Sequence, residues 1–453
     1  MTYKFKGVEG AKDGKLSSKE IKLSNQKSLI LLKNKRIMYK LTKYGLIIIT
    51  MLSCKFDNTK KETEEKNRIG IQVNSFKTDY DFLRKYIDIV LLEDEKGNGK
   101  VAISTALQAR VMTTTANGWS GKGYGWINKK HFISGDTLEN INVYGGEERL
   151  WFGPEGGQYS IFFKKDAAFN LDNWFTPKLI DLEPFDLIEK TSKYAIFSKT
   201  ASLINYADFI FNFNIERVIS VLSKDEINSV LELDVSKEIS SIGYQTKNTL
   251  KNTGDKPWRK ENGLLSIWLL GMFNHTPTTT VVIPYKSGED HELGPVVNDD
   301  YFGKVPSERL KVDKNAIYFK ADGQQRGKIG VSPQRATNVI GSYDDVSGML
   351  TIIKFNKPAN ETNYVNSKWE IQDNPFKGDV INSYNDGPPE PSAAQLGPFY
   401  ELETSSPAAA LGIGDTISHQ QYTFHFEGDR TELNTISMKI LGVSLEEISV
   451  IFK

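Results

Sequence analysis

The chain has 453 residues, and its 57 lysines and arginines are balanced by 57 aspartates and glutamates, so its formal net charge is zero. This balance excludes the overall basic excess with which proteins neutralise nucleic-acid phosphates, and we expect no nucleic-acid partner. A single cysteine excludes an internal disulfide bond and a cysteine cluster that binds zinc.

The first recognisable element is a segment typical of a bacterial lipoprotein signal peptide, at residues 38–54. Two lysines give it a positive start, residues 46–52 form a short apolar run, and a small residue precedes Cys54. The run is too short to span a bilayer as a helix. We therefore predict lipidation at Cys54, which would anchor the chain to a membrane. The alternative is a buried hydrophobic strand with an incidental thiol.

The segments on either side of this signal are polar. Residues 1–37 are rich in lysine, and because a signal peptide begins a chain, we predict a disordered extension or a mis-assigned start, with the true start at Met38. Residues 55–67 are charged and are predicted to form a solvated tether. A lipid-anchored protein of this kind would be located in the cell envelope, on the outer membrane or facing the periplasm.

From about residue 68 the sequence changes to short β-type segments separated by Gly, Asn, Asp and Pro. Helical turns are predicted only at 80–86, 433–440 and 444–448. Strands are predicted at 87–93, 100–107, 109–115, 157–164, 194–199, 209–222, 240–252, 264–272, 278–284, 316–321, 328–331, 349–354, 369–372, 379–384, 398–404 and 419–427. Many short strands with polar turns are typical of a sandwich or a barrel. We therefore predict an all-β fold, one large β-sandwich over residues 68–453 with few short helices.

Two predicted strands near the C-terminus each carry an apolar face and an ionisable face. Side chains alternate across a strand, so Glu401 and Glu403 share one face of the first strand, and His419 and His425 share one face of the second. Sugars need hydrogen-bond partners for their hydroxyl groups and apolar surface for their rings. If the strands are neighbours, these carboxylates and imidazoles would line one sheet surface, which we interpret as a carbohydrate-binding cleft.

The stretch LETSSPAAALGIGDTISHQQYTFHF at 402–426 resembles the C-terminal end of galactose mutarotases, the aldose epimerases. In that family the strand glutamate is the general base that removes the anomeric hydroxyl proton, a role that the resemblance gives to Glu403. The general-acid histidine of the family has no counterpart, because the comparable place reads KNTG at residues 251–254. This departure counts against simple epimerisation.

Three segments resemble a further group of proteins: YGGEERLWFGPEGGQYSIFF at 144–163, FKADGQQRGKIGVSPQRATNVIGSYD at 319–344 and FYELETSSPAAAL at 399–411. The group consists of uncharacterised secreted proteins from Bacteroidetes-type bacteria, described only as a domain of unknown function. Its members have the galactose mutarotase-like β-supersandwich fold. The resemblance therefore implies this fold for the chain and implies no activity.

The turn GPEGG at residues 153–157 presents Glu155 between glycines, which allow a backbone to approach a ligand closely. Glu155 could be the second acid of a carboxylate pair with Glu403, as acid–base chemistry on a glycosidic bond requires. Arg149 and Trp151 precede this turn and are candidates for binding a sugar carboxylate and for stacking on a sugar ring. Alternatively, the glycines only form the turn.

Other candidates are weighed against structural roles. Arg326 and Lys328 alternate onto one face and could hold an anionic group such as a uronate carboxylate, or could be ordinary surface charges. His419 and His425 lack a third ligand at a metal-binding spacing, so we expect no metal and interpret them as hydrogen-bonding side chains that could contact a substrate. Trp268, within the apolar run LLSIWLLGMF, is predicted to be a core residue.

Together these patterns predict a lipid-anchored envelope protein that binds a carbohydrate and could act on it, with Glu403 as general base, Glu155 as its partner and Glu401 as a substrate contact. An epimerase, a glycoside hydrolase and a polysaccharide lyase all remain open, and no cofactor is expected. The alternative is a non-catalytic glycan-binding lipoprotein, which would share the cleft but need no ionisation-tuned acid. A structural envelope protein would have no such cleft. The sequence does not indicate an oligomeric state.

Overall fold

The computed structural model describes residues 74–390 and 393–453. The fold is mostly β, with 37% strand, 15% helix and three sheets. This confirms the prediction of an all-β chain with few short helices. The predicted N-terminal extension, the signal segment with Cys54 and the polar tether lie outside the described residues.

The described part of the chain contains eighteen strands and seven short α-helices. The strands are β1 (Ile89–Glu93), β2 (Lys100–Ser104), β3 (Arg110–Thr115), β4 (Arg149–Gly153), β5 (Asp186–Lys190), β6 (Tyr194–Ile204), β7 (Ile210–Val221), β8 (Ile239–Asn252), β9 (Ser266–Phe273), β10 (Thr279–Pro284), β11 (Leu310–Val312), β12 (Ala316–Lys320), β13 (Gly327–Val331), β14 (Val339–Asp344), β15 (Met349–Phe355), β16 (Ile381–Asn385), β17 (Tyr400–Ser405) and β18 (Thr416–Gly428). The helices are α1 (Phe76–Leu83), α2 (Lys129–Ser134), α3 (Lys178–Asp181), α4 (Lys224–Leu231), α5 (Asp290–Leu293), α6 (Arg430–Ile440) and α7 (Leu445–Val450), with single 3-10 turns at Gly118–Ser120, Leu171–Asn173 and Lys260–Asn262.

Local sequence accounts for where the helices begin. Ser223 and Ser444 precede α4 and α7 in capping boxes, in which Glu226 and Glu447 accept hydrogen bonds from the backbone N–H of the cap residue. Asp429 caps α6 by accepting hydrogen bonds from two backbone N–H groups of its first turn. Each cap satisfies donors that a helix start would otherwise leave unpaired.

The largest sheet has ten strands in the order β11-β12-β10-β14-β15-β18-β8-β7-β6-β5. All neighbouring pairs are antiparallel. On the face of β18 that carries Tyr422, Phe424 and Phe426, the sheet packs against α4, α6 and α7 through residues such as Ile227 and Leu433. These helices therefore cover one face of the large sheet and bury its aromatic row.

A second, five-stranded sheet has the antiparallel order β13-β16-β17-β9-β4, and β1, β2 and β3 form a separate three-stranded sheet. Thr404 of β17 contacts His419 and Gln421 of β18, at 2.8 and 2.6 Å between polar atoms. This face of β17 therefore packs on the ten-stranded sheet. Because side chains alternate, Glu401 and Glu403 point away from the interior of the sandwich.

The strand predictions differ from the structure in several places. Residues 157–164 and 369–372 are not strands, whereas β4, β5, β11 and β14 were not predicted. The apolar residues after Gly157 are buried in a loop that follows the glycine turn, so their burial does not reflect strand periodicity. In β14, Gly341 interrupts the alternation of apolar and polar side chains by which a strand is predicted. A glycine is needed there because a Cβ would lie 2.8 Å from the backbone oxygen of Thr351 in the neighbouring strand.

Candidate functional site

The outer face of the five-stranded sheet carries the two C-terminal glutamates. In register, Glu401 of β17 lies between Tyr384 of β16 and Met272 of β9, and Glu403 lies one row further along the same face. Glu401 is 5% exposed and Glu403 is fully buried. A buried carboxylate is costly unless other groups compensate its charge, so their partners decide what this face can do.

Each of these carboxylates is held by a cation from another strand. Arg149 of β4 forms a buried ion pair with Glu401 through its Nη2 atom and Oε1. Lys328 Nζ of β13 lies 3.0 Å from Glu403 Oε2, and the indole N–H of Trp268 in β9 donates to the same oxygen at 2.9 Å. Side chains from three other strands thus converge on two neighbouring carboxylates of β17, an arrangement that only the sheet order creates.

A cleft with an open volume of about 890 Å³ lies over this face. Six residues that the sequence suggested as catalytic or substrate-binding line it: Arg149, Trp151, Glu155, Arg326, Lys328 and Glu401. The other lining residues are Ile141, Leu171, Trp174, Trp268, Leu270, Met272, Phe302, Trp369, Tyr384, Asp386, Gly387, Pro389, Ala394, Leu396 and Phe399. The cleft therefore combines apolar and aromatic walls with several ionisable groups.

Glu403 is not part of this lining. Its side chain contacts Lys328 and Trp268, which do line the cleft, and it is itself fully buried. Its second oxygen, Oε1, has no hydrogen-bond partner among the described residues. Direct contact between a ligand and Glu403 would need Lys328 or Trp268 to move, so the geometry favours Glu401 and Glu155 as the carboxyl groups that meet a ligand.

Glu155 reaches the cleft from the turn that follows β4. Its backbone N–H donates to Ser367 Oγ at 3.1 Å, and its carbonyl oxygen accepts from Ser160. At Gly156 a Cβ would lie 2.3 Å from the backbone oxygen of Lys368, and Gly157 has a φ of +81°. The glycines thus let two loops pack backbone to backbone, which holds the half-buried Glu155 in place.

Burial changes the ionisation of the groups in the cleft. It raises the pKa of Glu401 to about 8, against the opposing effect of Arg149 and with a further increase from Glu403. Burial also raises the pKa of Glu155, against the lowering effect of Lys328. For Lys328 burial opposes the charge, but the carboxylates of Glu403 and Glu155 outweigh it and raise its pKa. Glu401 therefore takes up a proton at a higher pH than an ordinary carboxyl group does, while Lys328 is charged.

Tryptophans form much of the wall. Trp151 packs edge-on against Trp268, with 5.7 Å between ring centroids, and Trp174 stacks on Trp369 at 6.0 Å. The indole N–H groups of Trp151 and Trp174 and Nε of Arg149 are buried and have no hydrogen-bond partner among the described residues. A buried N–H without an acceptor costs about 1–3 kcal/mol, so these three groups lower the stability of this wall.

His419 lies elsewhere, in the interior between the two large sheets. The single hydroxyl proton of Thr404 is donated to Gln421 Oε1, which can only accept, at 2.6 Å. Nε2 of His419, 2.8 Å from the same hydroxyl oxygen, must therefore carry the proton and donate it. Burial lowers the pKa of His419 to about 3, so the ring is neutral. Its role here is to stabilise the contact between sheets.

His425 is also an interior residue. Its Nε2 lies 2.8 Å from Glu147 Oε1, and its Nδ1 lies 2.9 Å from the hydroxyl oxygen of Thr351. Glu147 in turn accepts hydrogen bonds from the hydroxyl and backbone N–H groups of Thr114. The structure thus does not bring the two histidines to the carboxylates at the cleft: the face of β18 that carries them packs against the other sheet, and neither ring lines the cleft.

Several lining residues were missed from the sequence. Trp268 is a core residue as predicted, with 5% of its surface exposed, but the sequence did not indicate that it also lines the cleft and donates to Glu403. Tyr384 was within reach of sequence reasoning, because it lies in a predicted strand on the same face as Asn382. Its hydroxyl donates to Asp386 at 2.6 Å. Trp174 and Trp369 lie in loops, where no periodicity marks a face.

A smaller polar pocket shares Lys328 and Trp268 with the cleft. In it, the hydroxyl of Tyr301 donates to Asp379 Oδ2 at 2.5 Å, and Nδ2 of Asn298 donates to both oxygens of the same carboxylate. Burial raises the pKa of Asp379. These bonds satisfy Asp379 within the protein, so we assign no separate ligand site to this pocket.

The described residues contain no group of three or more histidine, cysteine, aspartate or glutamate side chains arranged to hold a metal ion. Among the helices of the same residues, none has the length and apolar character needed to cross a membrane.

No curated protein matches the chain in sequence. Similar solved structures include an Escherichia coli protein provisionally named an aldose 1-epimerase, with a TM-score of 0.44 and 11% identity, covering 76% of this chain and 100% of that chain. A galactose mutarotase-like protein from Lactobacillus casei has a TM-score of 0.41 and 11% identity, covering 75% and 100%. A galactose mutarotase related enzyme from Lactobacillus acidophilus has a TM-score of 0.41 and 8% identity, covering 75% and 98%. These similarities concern the fold and carry no information on activity.

All three segments that resembled a domain of unknown function lie within residues 74–452, the part of the chain that the sequence model of one family matches. That resemblance is confirmed, and the Bacteroidetes-type origin stays a prediction. Because the sequence model of one family matches residues 74–452, most of the chain, this protein belongs to a family of unknown function, DUF6786.

Proposed function

We propose that the protein binds a carbohydrate in the cleft over the five-stranded sheet and transfers protons to or from it through Glu401 and Glu155. The observation that carries this proposal is the composition of the cleft. Four of the seven tryptophans of the chain line it, beside two carboxyl groups whose pKa values are raised by burial.

The aromatic wall suits a sugar. The faces of pyranose rings are apolar and pack against indole rings, while hydroxyl groups exchange hydrogen bonds with polar side chains. The ionisable side chains that line the cleft, among them Arg326 and Lys328, can supply such hydrogen bonds.

The carboxyl groups suit general acid–base chemistry. Because its pKa is raised to about 8, Glu401 can take up and release a proton near neutral pH, as a general acid or base must. Glu155 enters the cleft from a different element and supplies the second carboxyl group. The positive charge of Lys328 would stabilise negative charge that develops on the ligand. In this proposal Glu403 is a positioning residue that holds Lys328 at 3.0 Å.

The test is a panel of oligosaccharides assayed for binding by tryptophan fluorescence and for product by mass spectrometry. We expect product with the wild type, and we expect Glu401→Gln and Glu155→Gln each to reduce the rate by about a hundred-fold or more. Glu216→Gln, at an exposed glutamate of β7, is the matched control and should leave the rate unchanged.

Other outcomes decide between the alternatives. Binding without any product, unaffected by either variant, would favour a non-catalytic glycan-binding protein that uses the same cleft. Absence of binding by every saccharide would refute the proposal. Equal rates for the wild type and both variants would refute the roles of Glu401 and Glu155.

We also propose, from the sequence, that the protein is anchored to the cell envelope by a lipid on Cys54. The support is the order of the positive start, the apolar run, the small residue and the sole cysteine. Intact-mass analysis of the protein from its membrane fraction should show a lipidated N-terminal cysteine, and the Cys54→Ala variant should lose it. Residues preceding Cys54 in the mature chain would overturn this proposal.

A further inference from the structure

Three cations line the cleft, and they differ in how they are paired. Arg149 is bonded to Glu401, and Lys328 lies 3.0 Å from Glu403. The guanidinium of Arg326 takes part in no ion pair or side-chain hydrogen bond with residues 74–390 and 393–453. Its positive charge and its N–H donors are therefore left for a ligand.

The position of Arg326 is fixed although its N–H groups are unpaired. Its guanidinium carbon lies 3.7 Å from the centroid of the Phe302 ring, a cation–π contact that leaves the edge of the guanidinium free. Its backbone packs closely against that of Gly387, since a Cβ on Gly387 would lie only 2.4 Å from the backbone nitrogen of Arg326. This close packing also holds Arg326 in place. A flat, stacked guanidinium at a defined place can bind a planar anion through two parallel hydrogen bonds.

One acid that lines the cleft near Arg326, Asp386, is already hydrogen-bonded to other groups. Asp386 accepts a hydrogen bond from the Tyr384 hydroxyl on Oδ1 at 2.6 Å and from the backbone N–H of Gly397 on Oδ2 at 2.8 Å. No ion pair joins it to Arg326 within the described ranges. The guanidinium of Arg326 is thus without a direct hydrogen bond to an acid in the described part of the chain, and it acts on Asp386 and Glu155 only through its charge, which lowers their pKa values against the larger effect of burial.

We propose that the ligand is an acidic saccharide and that Arg326 binds its carboxylate. This inference rests on the proposed carbohydrate-binding function and narrows it to sugars of the uronate class. A carboxylate matches the fork of a guanidinium, whereas a neutral hydroxyl group would leave the charge uncompensated. Lys328, two residues further on the same face, adds positive potential beside this position.

The test compares oligosaccharides that differ only in charge. Oligogalacturonate, oligomannuronate and oligoglucuronate are each titrated against the protein beside the methyl ester of the same oligosaccharide, with tryptophan fluorescence as the readout. We expect at least one carboxylated form to bind ten-fold or more tightly than its ester. Arg326→Gln should weaken binding of that form about ten- to hundred-fold and leave the ester unchanged.

Two further variants separate the fork from the charge and from general effects. Arg326→Lys keeps the charge but loses the two-bond geometry, so its affinity should lie between those of the wild type and Arg326→Gln. Arg259→Gln, at an exposed arginine outside the cleft, should change nothing. Because Arg326 has no ion pair within the described residues, we expect Arg326→Gln to have the same urea unfolding midpoint as the wild type. Urea unfolding of the same samples measures this.

The outcomes distinguish this inference from the proposed function. If esters and carboxylates bind equally, or Arg326→Gln weakens both alike, the carboxylate assignment is wrong while carbohydrate binding stands. If only sulfated oligosaccharides, added as a further arm, bind in an Arg326-dependent way, the anion is a sulfate and the assignment is again wrong. If no saccharide binds, the proposed function fails and this inference fails with it.

Discussion

Replacing Lys328 by methionine tests the pairing that holds the cleft together. Met preserves most of the side-chain volume but removes the ammonium group, and leaves the carboxylate of Glu403 in a fully buried place with the indole N–H of Trp268 as its hydrogen-bond donor. Breaking a buried ion pair by removing one partner costs about 3–5 kcal/mol, mainly because the remaining charge is uncompensated. Since domains have a total stability of about 5–15 kcal/mol, this loss should be large.

The measurement is urea unfolding followed by tryptophan fluorescence, for Lys328→Met, Glu403→Gln and the double variant. We expect the double variant to be more stable than Lys328→Met, because glutamine removes the unpaired charge, and to recover about half of the loss. Lys165→Met is the control, since Lys165 and Asp208 form an ion pair whose side chains are 56% and 51% exposed, and its effect should be small.

The reasoning would be refuted if Lys328→Met lost less than about 1 kcal/mol, which is the range of solvent-screened pairs. It would also be refuted if the losses of the two single variants simply added in the double variant, since contacting charges must be coupled. Interpretation requires an unchanged dependence of the unfolding free energy on urea, which shows that the unfolding transition exposes the same surface.

Three other predictions follow from burial and packing. Between its ordinary pKa of 4.5 and about 8, Glu401 keeps a proton in the folded chain that the unfolded chain has lost. The free energy of unfolding should therefore fall as pH rises through this range, and it should fall less in Glu401→Gln. Urea midpoints at pH 5 and pH 8 measure this difference. His419 has the opposite effect, because the unfolded chain binds a proton at this residue below pH 6.5, whereas the folded chain binds it only below about pH 3. The free energy of unfolding should therefore fall as pH falls through this range, and less steeply in His419→Gln. Equal slopes for the two proteins would contradict this. Gly378→Ala should lower stability by about 1–3 kcal/mol, because its Cβ would lie 1.9 Å from the backbone oxygen of Val365. Gly254→Ala is the control and should be tolerated, since its Cβ would have contacts of 3.4 Å or more. Thermal unfolding of the two variants compares them.

The candidate site shows which residues sequence reasoning can reach. Alternation along a strand predicted that Glu401 and Glu403 share a face, and that Arg326 and Lys328 share another, and the register of β17 places the two glutamates in successive rows. The glycine-flanked turn around Glu155 was recognisable from composition. Sequence reasoning could not find that Glu403 is covered by Lys328 and Trp268, because this depends on residues 75 and 135 positions away.

The histidines show the opposite case. The sequence correctly separated the aromatic face of β18 from the face that carries His419 and His425, yet it gave the polar face to the cleft. In the structure the aromatic face is covered by helices and the polar face meets Thr404 of the other sheet, where hydrogen bonds between side chains satisfy it. A polar strand face does not reveal whether it meets water or another polar face.

By itself, the sequence determined the β class and the separation of each strand into two chemically different faces, because these depend on neighbouring residues and on the two-residue period of a strand. Only the tertiary structure decided which faces meet. Arg149 and Glu401 are 252 positions apart and become partners because β4, β9 and β17 are adjacent in one sheet. Strand order and sheet packing are set by the sum of many long-range contacts, and no local pattern contains that sum.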